Sequence, residues 1–320
     1  MMTDVLTDLP AHYLSVADLT GAQFEALLDL ADELKGERAA RTAAGEPLAR
    51  DTLAGRTVAM IFEKPSTRTR VSFQVAVSEL GGHPLALSAT ELQLGRGETI
   101  GDTGAVLSRY VHGIVVRTFG QERIEELAAA ATVPVVNALT DLEHPCQALA
   151  DLQTFREAHG GFAGRSLAYV GDGNNVAHSL MLAGALVGLD VRVGHPEGYA
   201  PDPEVVARAQ ALATDTGAEV VVTTDPVAAV TGADAVYADV WASMGQEDEA
   251  DARLAVFAPY QVTAELLSHA ADDAVFLHCL PAHRGEEVTA EVIDGPSSRV
   301  FDQAENRLHV QKALLARLLV

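Results

Sequence analysis

The chain has few cysteines, few basic residues and no long apolar run. Cys146 and Cys279 are its only two cysteines, too few for a disulfide scaffold and without zinc-finger spacing. No apolar stretch approaches the roughly 18 residues that cross a bilayer. The first ten residues include Asp4 and Asp8 and lack the basic and then apolar order of a secretory signal. We therefore expect a cytoplasmic protein.

Acidic side chains outnumber basic ones by 45 to 22, which gives a formal net charge of −23. Nucleic acids and anionic membranes both require a basic surface, so neither is expected as a partner. Nearly half of the 320 residues are hydrophobic, and a chain of this length is expected to form two cores. Because the chain as a whole is acidic, a site that binds an anion must bring several arginines close together.

Short β-type runs alternate with longer helical patterns, which is typical of parallel sheets joined by crossover helices. The predicted strands are 57–62, 84–87, 114–116, 133–137, 166–170, 190–194, 219–223, 235–237 and 275–278. The predicted helices are 22–43, 68–80, 102–110, 122–131, 144–158, 176–188, 203–216, 225–230, 263–270 and 306–319. We predict the α/β class, with two domains that are each a parallel sheet with helices on both faces.

Hydroxyl and guanidinium groups are concentrated directly after the first predicted strand, in the run Ser66-Thr67-Arg68-Thr69-Arg70. A helix begins within this run, and a helix N-terminus presents unpaired N–H groups and a positive dipole end to an anion. Arginine can hold phosphate oxygens with two hydrogen bonds. Serine and threonine are common helix caps, but five such residues in succession in an acidic protein predict an anion site.

This run resembles the hallmark of the aspartate/ornithine carbamoyltransferase family, in which it binds the phosphate of carbamoyl phosphate. The resemblance implies that role for Ser66, Thr67, Arg68 and Thr69 and does not extend it to Arg70. It also implies transfer of a carbamoyl group to an amine. No metal or organic cofactor is expected, because the leaving group is already activated.

The quartet His144-Pro145-Cys146-Gln147 begins the helix predicted at 144–158. The family has the histidine and glutamine at this place, where they contact the carbamoyl group. With Arg117, at the end of a predicted strand, His144 would supply donors to a carbonyl oxygen that gains charge. Cys146 is interpreted as a packing residue.

A glycine-flanked loop carries Gln93, which matches the family's ligand-contacting glutamine. In the family this loop reaches a neighbouring subunit's site, and the family is built on trimers. The resemblance therefore implies a homotrimer.

The run Gly171-Asp172-Gly173-Asn174-Asn175 follows a predicted strand and resembles a dinucleotide fingerprint. An NAD-dependent oxidoreductase is thus a rival hypothesis, but the third glycine is missing. The next strand is followed by His195 and not by an acidic residue that could hold a ribose hydroxyl. The family resemblance implies instead that Asn175 contacts the amino-acid substrate.

Two further motifs select the ornithine branch of the family. Asp239 is followed by Ser243-Met244-Gly245, and the resemblance implies that Asp239, Ser243 and Met244 contact ornithine. The second motif, His278-Cys279-Leu280-Pro281, follows a predicted strand. A free cysteine is usually a small core residue, but in this branch it lies beside the attacking amine.

The resemblance assigns Cys279 and Leu280, together with Gln93, Arg117, His144, Gln147 and Arg307, to carbamoyl phosphate. It assigns catalysis to Cys279, Arg68, Arg117 and His144, with no metal site. The predicted domains are a carbamoyl phosphate-binding domain at 1–145, completed by a C-terminal helix at 306–320, and an ornithine-binding domain at 146–305. The predicted reaction converts carbamoyl phosphate and L-ornithine to L-citrulline and phosphate, in arginine metabolism. Putrescine or a modified ornithine as the acceptor, and a non-catalytic or nucleotide-binding protein, remain alternatives.

Overall fold

The computed structural model describes residues 5–88, 97–241 and 250–320. The chain forms two compact units, the first comprising Met1–Ala150 with Glu305–Val320 and the second Asp151–Ala304. Each unit contains one parallel sheet, so the predicted α/β class with two parallel sheets and surrounding helices is confirmed. Within the described ranges, no helix is both long enough and apolar enough to cross a membrane.

The first unit is built on four strands in the order β2-β1-β3-β4, all parallel. Because β1 lies between β2 and β3, the strand order reverses there, and ligands of parallel sheets bind outside the carboxyl ends of strands at such a point. The strands are β1 (Thr57–Phe62), β2 (His83–Ser88), β3 (Gly113–Arg117) and β4 (Val135–Leu139). The helices described up to residue 159 are α1 (Gly21–Ala44), α2 (Thr67–Glu79), α3 (Ile100–Leu107), α4 (Gln121–Ala130) and α5 (Pro145–His159).

The second unit has five parallel strands in the order β7-β6-β5-β8-β9, so its strand order reverses at β5. The strands are β5 (Ser166–Val170), β6 (Asp190–Gly194), β7 (Val220–Thr223), β8 (Ala235–Ala238) and β9 (Val275–His278). The remaining helices are α6 (Asn175–Val187), α7 (Pro203–Thr216), α8 (Pro226–Val230), α9 (Ala250–Phe257), α10 (Ala264–Leu267), α11 (Ala290–Ile293) and α12 (Val300–Leu318). Short 3-10 turns lie at Val16–Asp18 and Ala258–Tyr260.

Helix α1 shows how local sequence fixes an element of the first unit. Thr20 and Gln23 form a reciprocal capping box at its start, and Gly45 ends it in the left-handed conformation at φ 68°. The predicted apolar stripe is buried, including Phe24 and Leu28. The predicted helix at 22–43 is therefore confirmed.

The last helix begins earlier than its sequence pattern predicts. We predicted 306–319, with Arg307 just before or at its start, but α12 runs from Val300 to Leu318 and contains Arg307. Several inward-facing residues are polar yet fully buried, such as Gln303 and Asn306. They interrupt the apolar periodicity by which a helix is recognised. Similarly, α9 and α11 were not predicted, and the helix predicted at 263–270 is limited to Ala264–Leu267.

A charged group is buried where α12 packs on α2 within the first unit. Glu79, at the end of α2, accepts a hydrogen bond from Lys312 Nζ at 2.7 Å and one from Arg38 Nε at 3.0 Å. Glu79 and Lys312 are 7% and 2% exposed. Burial by itself would raise the pKa of the carboxyl, but these two cations outweigh it and hold the pKa of Glu79 below its usual value.

We expect Glu79→Gln to destabilise the protein by on the order of 3 kcal/mol at pH 7, because the variant leaves a buried ammonium uncompensated. The pKa of Glu79 is lower in the folded chain than in the unfolded chain. Its stabilising contribution is thus present above the unfolded-state pKa and is lost as the pH falls through the folded-state value. The difference between wild type and variant in urea unfolding should therefore shrink as the pH falls from 7 to 3.

Glu37→Gln is the matched control, because Glu37 pairs with Arg41 at 2.9 Å on a more exposed part of α1. Such pairs contribute less than about 1 kcal/mol. An equal loss of stability in the two variants would contradict the importance of the buried pair.

Candidate active site

The start of α2 lies at the carboxyl end of β1, as the sequence predicts for an anion site. Ser66 occupies the N-cap position, and among the described residues its side chain makes no capping hydrogen bond. Its hydroxyl and the first N–H groups of α2 can therefore serve a ligand. Thr67 is exposed, Arg68 is partly buried and Thr69 is buried. From Thr67 to Thr69 the side chains thus pass from exposed to buried within a single helical turn.

Arg307 joins three helices of the first unit at this point. Its guanidinium donates from Nη2 to Thr69 Oγ1 at 2.5 Å and from Nη1 to Gln147 Oε1 at 2.9 Å. The arginine is only 3% exposed, so its charge acts where solvent screening is weak. The fold thus brings Arg307 into contact with residues that lie 238 and 160 positions earlier in the sequence.

His144 lies among three cationic side chains. Its pKa is held well below 6.5, first by burial and then by the positive charges of Arg307, Arg117 and Arg68. The imidazole is therefore neutral at physiological pH and can donate one hydrogen bond without adding a fourth charge. Three guanidinium groups close to one neutral donor form a locally positive site in a strongly acidic chain, and this suits a doubly charged anion.

The residues around His144 are held by the N-terminal part of the first unit. Glu143 accepts hydrogen bonds from Ser15 Oγ at 2.6 Å and from Val16 N at 2.9 Å. Tyr13 donates its hydroxyl to the carbonyl of Pro145 at 3.3 Å. Cys146 is buried, and burial raises the pKa of its thiol to about 12. The thiol therefore stays protonated, which agrees with a packing role.

The end of β3 is fixed to the end of β1. Glu63 N donates to the carbonyl of Arg117 at 2.9 Å, and the Glu63 carboxylate accepts from Arg123 Nη2 at 2.6 Å and from the Thr118 hydroxyl. Because Arg117 is the last residue of β3, these bonds fix its backbone beside the start of α2. Arg117, at the end of β3, and the run that follows β1 thus lie at the same edge of the sheet.

The glycine-rich run of the second unit follows β5, and its second glycine, Gly173, is required by packing. A Cβ atom on Gly173 would lie 2.2 Å from Pro201 N, so this position excludes any side chain. Asn174 caps α6, with Oδ1 accepting from Val176 N at 2.9 Å. This side chain occupies the start of the helix where a dinucleotide would place its pyrophosphate. The arrangement argues against the NAD-dependent reading.

Asp239 and Cys279 form the centre of a polar group at the carboxyl ends of β8 and β9. The two strands pair with Ala238 opposite His278, so the residues that follow are neighbours. Cys279 Sγ donates to Asp239 Oδ1 at 3.0 Å. Asp239 is 6% exposed and also accepts from Val240 N at 2.8 Å. The carboxylate is thus held against a thiol, which places a proton donor directly beside an acceptor.

The backbone after Cys279 has an unusual conformation. Leu280 has a positive φ of 59° and is joined to Pro281 by a cis peptide bond. Its N–H donates to His278 Nδ1 at 2.8 Å, and His278 Nε2 lies 3.1 Å from the buried carboxylate of Glu287. Since Nδ1 accepts, the imidazole proton is on Nε2. Glu287 therefore sets the orientation of His278, and His278 in turn holds Leu280.

Asp239, His278 and Cys279 also offer ligand atoms within 4.8 Å of one another. However, both nitrogens of His278 are already hydrogen-bonded, to Leu280 N and to Glu287. A metal ion would have to displace one of these groups. Hydrogen bonding accounts for the geometry of the three side chains.

The sequence did not indicate two functional candidates of the second unit, Asn174 and Arg253. Sequence reasoning selected Asn175, which begins α6, but Asn174 is the residue that donates to Asp239, at 2.9 Å. It also missed Arg253, a buried arginine that pairs with Asp172 at 2.6 Å and donates to the carbonyl of Trp241 at 2.9 Å. The helix-capping position could have indicated Asn174. Gln93, Ser243 and Met244 lie outside the described residues.

The predicted residues that are described thus form two groups, each within one unit. The first unit contains Ser66, Thr67, Arg68, Thr69, Arg117, His144, Gln147 and Arg307. The second contains Asn175, Asp239, Cys279 and Leu280.

Two family models match nearly all of the chain. Residues 11–157 match the model described as "Aspartate/ornithine carbamoyltransferase, carbamoyl-P binding domain". Residues 163–318 match the model described as "Aspartate/ornithine carbamoyltransferase, Asp/Orn binding domain".

Relatives of known name are similar over the same length. The chain is 60% identical over 308 residues to an ornithine carbamoyltransferase of Parafrankia sp., with 96% of each chain covered. It is 59% identical to the ornithine carbamoyltransferase of Acidothermus cellulolyticus, again with 96% of each covered. The solved structure of ornithine carbamoyltransferase from Pyrococcus furiosus is 53% identical, with a TM-score of 0.91 and 96% of each chain covered. The chain therefore belongs to the aspartate/ornithine carbamoyltransferase family.

Proposed function

We propose that the chain transfers the carbamoyl group of carbamoyl phosphate to the δ-amine of L-ornithine, giving L-citrulline and phosphate, in arginine metabolism. The observation that carries the proposal is the group of three guanidiniums around the buried, neutral His144. Arg68, Arg117 and His144 lie within the residues that match a carbamoyl phosphate-binding domain, and α12 supplies Arg307. Relatives named ornithine carbamoyltransferase at 60% and 59% identity support ornithine as the acceptor.

Carbamoyl phosphate is held in this proposal by the first group of residues. The hydroxyls of Ser66, Thr67 and Thr69, the N–H groups that open α2, and Arg68 bind the phosphate. Arg117, His144, Gln147 and Arg307 address the carbamoyl end, with Gln93, Cys279 and Leu280 as further contacts. The neutral imidazole donates to the carbonyl oxygen, which gains negative charge as its carbon becomes tetrahedral.

The second group prepares the amine. Asn175, Asp239, Ser243 and Met244 bind ornithine, whose δ-ammonium must lose a proton before its nitrogen can attack. The Cys279 thiol takes this proton while passing its own to Asp239, which it already contacts at 3.0 Å. The free amine then bonds to the carbamoyl carbon, the carbon–oxygen bond to phosphate breaks, and the second proton that the nitrogen loses passes to the departing phosphate. The electron pair leaves with phosphate, where Arg68 and Arg117 offset its charge.

The domain roles follow from the same assignment. We infer a carbamoyl phosphate-binding domain at 1–145 with 306–320 and an ornithine-binding domain at 146–305, in a cytoplasmic homotrimer. The trimer is supported by family resemblance, through the loop that carries Gln93. A single sedimenting species with the mass of a monomer would argue against it.

A colorimetric assay for citrulline tests the function directly. With carbamoyl phosphate and L-ornithine, the purified chain should form citrulline and phosphate in equal amounts, without added metal or cofactor. Putrescine lacks the α-carboxylate and should react at least about 100-fold more slowly, since a site built for a polar head group is left with unpaired groups. L-Lysine keeps that head group but has one more methylene, so it should react about 10- to 200-fold more slowly. If putrescine reacted faster than ornithine, putrescine would replace ornithine as the proposed acceptor. If no amine gave a product, the proposed carbamoyl transfer would be refuted.

A further inference from the structure

Hydrogen bonds to both its oxygen and its nitrogen fix the orientation of the Asn174 side-chain amide. Its Oδ1 accepts from Val176 N at 2.9 Å and from Ala177 N at 3.3 Å, which caps α6. The same oxygen accepts from the Tyr169 hydroxyl at 3.2 Å. With three donors facing the oxygen, the amide nitrogen must point the other way, toward Asp239 Oδ2 at 2.9 Å.

This amide is one member of a continuous chain of hydrogen bonds. Tyr169 contacts Asn174, Asn174 Nδ2 donates to one oxygen of Asp239, and Cys279 Sγ donates to the other at 3.0 Å. Tyr169 is fully buried, and burial is the main cause that raises the pKa of its phenol, so it remains a donor. The chain fixes both oxygens of Asp239 and leaves little freedom to rotate the carboxylate away from the thiol.

Capping alone does not explain an asparagine here. Serine and aspartate cap helices about as well as asparagine, because capping needs only an acceptor oxygen. Asparagine alone among these three also offers an amide N–H₂ donor. Aspartate at this position would instead set a second carboxylate beside Asp239.

We propose that Asn174 is a positioning residue that keeps the Asp239 carboxylate directed at the Cys279 thiol for proton transfer from the substrate amine. This inference rests on the proposed function, in which Asp239 and Cys279 together deprotonate ornithine. Asn174 does not touch the substrate in this assignment; it acts through Asp239.

Two substitutions separate positioning from capping. Asn174→Ser keeps a capping oxygen but removes the donor to Asp239, and Asn174→Asp keeps the cap but adds a negative charge. Each should lower kcat by about 10- to 100-fold, the scale of a lost hydrogen bond to a charged group. The KM for carbamoyl phosphate and the KM for ornithine should each change less than threefold. A rise confined to the KM for ornithine would indicate a disturbed binding residue such as Asn175 and would overturn the proposal.

The reactivity of Cys279 gives a second readout that does not depend on turnover. Iodoacetamide attacks the thiolate, and a nearby carboxylate disfavours this form. Asn174→Ser should therefore speed alkylation of Cys279 at least threefold, whereas Asn174→Asp should slow it. Cys146, whose pKa is raised to about 12 by burial, should stay unmodified and serves as the internal reference. Equal alkylation rates in wild type and both variants would overturn the proposal.

Asp225→Ser is the matched control for capping, because Asp225 caps α8 by accepting from Val227 N at 2.9 Å. The variant likewise keeps a capping oxygen, so it should change stability little and should alter neither kcat nor the alkylation of Cys279. In an Asp239→Asn background, Asn174→Ser should cause no further change in alkylation if it acts through Asp239. Should wild type form no citrulline, the proposed function fails, while the alkylation comparison still decides whether Asn174 orients Asp239 toward Cys279.

Discussion

Arg68→Ala should lower kcat/KM for carbamoyl phosphate by about 10³- to 10⁴-fold, a loss of about 4–5 kcal/mol of transition-state stabilisation. Arg68 is the second residue of α2 and is close enough to His144 to lower the pKa of that imidazole. Its charge is needed most as phosphate departs, because negative charge then moves onto the leaving group. Steady-state kinetics with varied carbamoyl phosphate measure the effect.

Arg70→Ala is the matched control for this prediction. Arg70 belongs to the same run and the same first helical turns as Arg68, but it is exposed. An exposed arginine acts through water and contributes little, so this variant should keep at least about a tenth of wild-type kcat/KM. Equal losses in the two variants would show that the positive charge of the whole segment matters and not the specific position of Arg68.

The same variant offers a check that the site itself is correctly described. Removal of one of the three guanidiniums that lower the pKa of His144 should raise that pKa toward the usual 6.5, although burial still holds it below this value. Titration of the imidazole by NMR in wild type and in Arg68→Ala measures the shift. An unchanged or lower pKa in the variant would mean that Arg68 points away from His144.

Much of the fold could be predicted because local and global signals agree in this chain. Every strand described in the two sheets overlaps a predicted one, since buried parallel strands appear as short continuous apolar runs between helical patterns. The amphipathic stripe of α1 is a similar case. The start of helix α12 was missed because its buried face carries Gln303 there in place of an apolar residue. The burial of Gln303 depends on partners elsewhere in the chain, such as Asp151 and Tyr237, and a hydropathy pattern does not contain that information.

The candidate site was predictable by residue type but not by arrangement. Strand ends indicated Arg117, Asp239 and Cys279, since ligands collect at the carboxyl ends of parallel strands. That Asp239 contacts Cys279 follows from the pairing of β8 with β9 in one register, which is a property of the folded sheet. Asn174 and Asn175 are chemically identical neighbours. Only the start of α6 decides that Asn174 caps the helix and orients Asp239.

Cys279→Ala should lower kcat by about 10²- to 10³-fold, an effect in the range of general acid–base catalysis. The variant removes the thiol that contacts Asp239 Oδ1 at 3.0 Å and would relay the proton of the substrate amine. Binding of inorganic phosphate should change little, because the phosphate contacts proposed at Ser66 and Arg68 belong to the first unit. Steady-state kinetics with varied ornithine and calorimetric titration with phosphate measure the two effects separately.

Cys146→Ala is the matched control, since the chain has two cysteines that differ in surroundings. Cys146 is 1% exposed, its Sγ donates to the carbonyl of Asn137 at 3.4 Å, and its thiol stays protonated. Its loss removes a small buried side chain and should reduce stability while leaving kcat within about twofold. If Cys279→Ala and Cys146→Ala gave the same kcat, Cys279 would be a packing residue too, and Asp239 alone would have to accept the amine's proton.

Cys279→Ser distinguishes packing from proton transfer further. The variant replaces the S–H donor to Asp239 by an O–H donor, but a hydroxyl exchanges protons less readily than a thiol. Its kcat should therefore lie between those of wild type and Cys279→Ala.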